Sequence, residues 1–296
     1  MMTFLERYNI SPVLFAFISL VTLFVTYQIV GSLVAVLLFG IKINPENVTG
    51  YRILAAFSQI IFLLIPTLLL TKLAASHVWE FLRYKRTSLL QIIIPFVGIF
   101  SLQQILQVYL AAQEMIPVPE SLKPFLEQMK QMIEESYRLI AGSADFPELV
   151  FVIIVIALVP AFAEETLFRG MVQRSLENSL NPKKAIILTG IIFGLFHLNP
   201  VTFIPLSIIG FYLGFLAFKA QSILVPVAVH FFNNLLAVIA IHLNYGDDEL
   251  ITGKPSEMQL ELLLLTFVTF SLVFVVSIYY FIRVSNSINL KTITEV

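Results

Sequence analysis

The feature that most constrains this chain is its set of long, nearly uninterrupted apolar runs, such as LLLLTFVTFSLVFVVSIYYF at 262–281. A run of about 20 apolar residues matches the hydrocarbon thickness of a bilayer as a helix, whereas a barrel strand needs only about 10. Lipid offers no partner to a bare peptide group, so the runs must satisfy their own backbones, as helices. Composition agrees, with 58% hydrophobic and only 12% charged residues, about half the charged fraction of a soluble domain. The expected fold is an all-α, polytopic transmembrane helix bundle.

Eight spans are expected, at 12–39, 51–71, 88–111, 149–172, 183–199, 201–218, 222–243 and 259–282. They form one integral membrane domain over 1–296, with 149–243 as its core. Pro12, Pro182 and Pro200 fall near the ends of these runs, while Pro66, Pro95, Pro160, Pro205 and Pro226 fall inside or near them and are expected to kink them. The N-terminal MMTFLERYNI lacks a basic region and precedes a run too long for a signal peptide, so it reads as a retained first span. With the N-terminus inside, twelve Lys and Arg fall on the inner side and six on the outer. Cytoplasmic segments retain basic residues, so the expected orientation is N-in, C-in, and an odd span count would break it. Between the third and fourth spans, Leu122, Phe125, Leu126, Met129, Met132, Ile133, Tyr137 and Ile140 recur at steps of three and four. They predict an amphipathic helix on the outer membrane surface or packed on the bundle. Asp247, Asp248 and Glu249 read as a solvated loop.

A net charge of −1 argues against a nucleic-acid partner. The absence of cysteine removes thiol nucleophiles, disulfides and thiolate metal sites. What remains informative is the ionisable residues inside apolar runs, which are costly there and tend to mark a site. In VPAFAEETLFRG at 159–170, Glu165 and Arg169 share a helix face in the favourable i, i+4 order, and Glu164 points about 100° away. His197 ends the run IIFGLFH, one turn after Phe193. His230 and Asn234 share a face in mid-span, with Asn233 beside them on another. Each group has a plainer reading as interfacial residues or interhelical glue. His77 and His242 lie near span ends without such partners and read as interfacial. On neighbouring helices, the carboxylate and the histidines could hold a water between them, with donors nearby to stabilise an oxyanion.

The succession EExxxR (Glu164, Glu165, Arg169), FxxxH (Phe193, His197) and HxxxN (His230, Asn234) resembles the CPBP, or Abi, family of intramembrane proteases. That family includes CAAX prenyl endopeptidases and bacteriocin-processing or self-immunity proteins. The resemblance covers about 164–234 and implies an endopeptidase. Glu164 and His197 would activate water, His230 and Asn234 would stabilise the oxyanion, Glu165 would pair with Arg169, and Phe193 would pack the site. It leaves open a glutamate-dependent or a metal-dependent mechanism, because Glu164, His197 and His230 also make an acceptable zinc set. The partner it implies is a peptide or protein substrate, lipid-modified or membrane-inserted, together with membrane lipid, in the plasma membrane of a bacterium. Two other classes compete: a non-catalytic immunity, chaperone or scaffold protein using the cluster as glue, and a transporter or proton relay. Counting along the helices puts His197 about 20 Å deep and His230 about 12 Å, a mismatch that tilt or a break at Asn199 and Pro200 would have to relieve.

Overall fold

A computed structural model describes residues 2–243 and 260–294; the acidic residues at 247–249 lie outside the described residues. The described residues are helical and turn, without strand. Among the described residues, nine longer helices are α1 Pro12–Phe39, α2 Val48–Ala74, α3 Leu89–Glu114, α4 Lys123–Ala141, α5 Phe146–Glu177, α6 Pro182–Phe196, α7 Phe203–Ala220, α8 Leu224–His242 and α9 Leu260–Thr294. Seven are long and apolar enough to cross a bilayer: all but α4 and α6. The run expected to span at 183–199 is α6, which has 15 residues and a length of about 22 Å. It stops because the chain turns after Phe196: Leu198 takes a left-handed φ of 51°, and the Asn199 side chain accepts from the backbone N–H groups of Val201 and Thr202 at 3.0 and 3.3 Å. The break lies just ahead of Asn199 and Pro200.

Local sequence explains the other boundaries. Ser11 caps α1, with Pro12 at its first position, and Ser88 forms a capping box with Gln91 at the start of α3. In each, a side-chain oxygen takes up an orphan N–H of the first turn. Gly40 ends α1 at φ 87°. Pro205 and Pro226 fall in the first turns of α7 and α8, where a missing N–H costs little, and Pro95 lies inside α3. The amphipathic segment is helical as expected, and Arg52 fixes it at its C-terminus. This arginine, 2% exposed, donates to the carbonyls of Leu139, Ile140 and Gly142 at 2.6–2.8 Å and pairs with Glu148 at 2.6 Å. His242, near a span end as expected, meets Ser143 Oγ at 2.7 Å.

At the opposite end of the bundle, Arg83 pairs with Glu177. The Arg83 carbonyl accepts from Ile223 N at 3.0 Å, and Ser222 Oγ donates to the Lys85 carbonyl at 2.6 Å. The connections after α2, α5 and α7 therefore meet, and the basic cluster at 83–86 lies on the same end as the α5–α6 turn. Burial lowers the Arg83 pKa from its ordinary value, and the adjacent Glu177 opposes that shift. Between these ends, α6 and α7 approach so closely that a Cβ on Gly210 would lie 2.8 Å from the Gly190 Cα, and one on Gly194 would lie 2.8 Å from the Phe203 carbonyl oxygen. Small residues that let backbones approach are how helices associate in lipid.

Candidate active site

Four π-helical segments interrupt the helices around the polar cluster: Val25–Val30 in α1, Gln59–Leu64 in α2, and Ile153–Leu158 and Thr166–Val172 in α5. Glu164 and Glu165 occupy the short α-helical stretch Val159–Glu165 between the last two. Pro160 lies at the start of that stretch. It has no N–H to offer the Ile156 carbonyl four residues earlier, and Asn234 Nδ2 donates to that carbonyl instead, at 3.3 Å. The neighbouring Asn233 donates to Asn234 Oδ1 at 3.2 Å and accepts from Gln103 at 2.9 Å.

The two adjacent glutamates serve two different histidines. Glu165 is fully buried, and its Oε1 accepts from Arg169 Nη1 and meets His230 Nδ1, both at 2.8 Å. An ionised carboxylate only accepts, so the imidazole donates from Nδ1 and turns Nε2 elsewhere. Arg169 is also fully buried; it donates to the Gly210 carbonyl at 3.0 Å and stacks 4.5 Å from the Phe193 ring centroid. Glu165 thus pairs with Arg169 as expected and also holds His230.

Glu164 faces the other way. Its Oε2 is buried without a protein partner and lies 4.0 Å from His197 Nε2. His197 Nδ1 lies 2.7 Å from the Phe193 carbonyl oxygen. A carbonyl cannot donate, so Nδ1 carries the proton, and in the neutral ring Nε2 presents a lone pair towards Glu164. The side chain of His197 is 31% exposed and that of Glu164 12%, so this pair is the accessible part of the cluster. The two histidines need not share one depth: each pairs with one of two successive carboxylates, and both pack against the Phe193 ring, at 4.7 and 5.9 Å between centroids.

Glu164 and His197 are therefore brought together, as are Glu165, Arg169 and His230, whereas the described hydrogen bonds of Asn234 run to its own support. Two residues outside the expected set also belong to the site. Gln59 Nε2 lies 3.4 Å from Glu164 Oε1 and 3.2 Å from the Tyr27 hydroxyl. They are polar residues in apolar runs, but an amide and a phenol that carry no charge near neutral pH leave little mark in a sequence. Among the described residues, no three or more His, Asp or Glu side chains are grouped to hold a metal ion. The Nδ1 bonds of His230 to Glu165 and of His197 to the Phe193 carbonyl leave each Nε2 free.

Residues 146–236, which contain every motif residue above, match the family model of the type II CAAX prenyl endopeptidase Rce1-like proteins. No curated protein and no solved structure matches the chain. The chain carries a domain of the Rce1-like type II CAAX prenyl endopeptidase family, within a multi-pass integral membrane protein.

Proposed function

We propose that the protein is an intramembrane endopeptidase, with 149–243 as the core of one membrane domain, in which Glu164 and His197 activate water for attack on a peptide carbonyl. The observation that carries this reading is the 4.0 Å separation of Glu164 Oε2 and His197 Nε2. It is too long for a direct hydrogen bond and short enough for one water oxygen to reach both. The carboxylate takes the proton of the attacking water, and His197, its tautomer held by the Phe193 carbonyl, shares in the transfer. His230 in its doubly protonated form offers Nε2–H to the developing oxyanion, while Nδ1–H stays on Glu165. Asn234 retains a second amide hydrogen for the same oxygen.

Family membership supports peptides as substrates. The depth of the site supports ones that are lipid-modified or membrane-inserted: Glu164 lies 13 residues from the Glu177 end of its helix, about 20 Å along the axis. The charge count supports an N-in, C-in orientation with α6 as a shortened crossing. The test is to incubate the purified protein with a peptide library, with and without chelator, beside Glu164→Gln. Removing a general base costs about 10²- to 10⁴-fold, so cleavage should survive the chelator and collapse in the variant. Undiminished cleavage by Glu164→Gln would sink the mechanism, and loss to chelator would redirect it to a metal. The polar-glue alternative gains from the buried Glu165, Arg169 and His230 and from the Asn234 tie. It expects no Glu164-dependent cleavage.

A further inference from the structure

A carboxylate has two equivalent oxygens, and only one of Glu164's can face His197 at a time. Something must set its rotation. Gln59, the first residue of the π-helical segment in α2 and only 7% exposed, puts its Nε2 3.4 Å from Glu164 Oε1, which leaves Oε2 as the oxygen nearest His197. The same Nε2 lies 3.2 Å from the hydroxyl of Tyr27, in the π-helical segment of α1. Tyr27 in turn stacks on Phe196, with centroids 6.2 Å apart and ring planes 8° apart, and the next residue, Gln28, donates to the Phe196 carbonyl at 2.6 Å. Phe196 immediately precedes His197. One polar seam from α1 and α2 therefore reaches both the carboxylate and the helix end that carries the imidazole, and none of its residues lies within the family match at 146–236.

We infer that Gln59, anchored by Tyr27, is a positioning residue that holds Glu164 Oε1 and thereby presents Oε2 to His197. The inference rests on the proposed role of Glu164, but its test does not require activity. The full chain is placed in lipid nanodiscs, and infrared spectra of wild type minus Glu164→Gln isolate the Glu164 carboxyl bands. Gln59→Met keeps the length of the side chain and removes the amide, so those bands should shift from their wild-type positions. Tyr27→Phe removes the hydroxyl that anchors the amide and should shift them less, in the same direction. If peptide cleavage is found, Gln59→Met should lower kcat about tenfold, the scale of one hydrogen bond to a charged group, and leave KM unchanged. A loss through looser packing alone would instead lower thermal stability without moving the bands.

Unmoved Glu164 bands in a folded Gln59→Met protein overturn the inference even where cleavage depends on Glu164. Cleavage that persists in Glu164→Gln overturns the proposed mechanism and leaves the band result standing. Should Gln59→Met fail to fold, Tyr27→Phe decides: a shift supports the positioning role and unmoved bands overturn it.

Discussion

At the scale of single residues, the dominant fact is a guanidinium with no exposed surface placed between a carboxylate and a carbonyl. Desolvating such ions costs several kcal/mol, and the partners recover it only while all remain in place. Arg169→Met leaves the Glu165 charge buried with only His230 beside it. It should therefore cost about 3–5 kcal/mol, read as a lower thermal midpoint and lower abundance in the membrane. Normal abundance and an unchanged midpoint would remove the structural role of the pair. Arg169→Lys should rescue little, because a point charge cannot reach Glu165, Gly210 and the Phe193 face together. The i, i+4 spacing of Glu165 and Arg169 was legible in the sequence because both lie on one helix. The bond from His230 to Glu165 was not, since it crosses 65 positions and depends on how α8 packs against α5.

At the scale of elements, proline and π-helical segments work together. Pro66 and Pro160 each follow a π-helical segment by two positions, so the expected kinks at these prolines take the form of wide turns. Such insertions are frequent at functional sites, and here one begins at Gln59 and two flank Glu164 and Glu165. The Asn234 bond to the Ile156 carbonyl compensates for the N–H that Pro160 lacks, which makes a double-mutant cycle informative. Asn234→Leu should destabilise the wild-type protein by about 1 kcal/mol and do so less in a Pro160→Ala background, where residue 160 has its own donor. Strictly additive costs would mean that Asn234 does not serve that carbonyl. The HxxxN pattern marked Asn234 in the sequence, but its hydrogen-bond partner is a backbone atom of another helix, which side-chain spacing cannot reveal.

At the scale of the whole molecule, the short α6 is held against α7 by the close approach of Gly190 and Gly210, and this contact decides where His197 stands. Gly210→Ala would force the two backbones apart and, at the cost typical of overpacking, should destabilise by about 1–3 kcal/mol, measured by thermal unfolding in detergent. An unchanged midpoint would mean that the approach is relaxed enough to absorb a methyl group. The sequence by itself determined the helical, membrane-spanning character of the chain, because lipid permits so few solutions to an unpaired backbone. It also made the pairing of Glu165 with Arg169 available, because i, i+4 spacing puts both on one helix face. Only the tertiary structure decided that α6 stops at His197, that the adjacent glutamates serve separate histidines, and that α1 and α2 contribute Tyr27, Gln28 and Gln59. These depend on distances between residues remote in the chain, which the packing of helices sets and local periodicity does not encode.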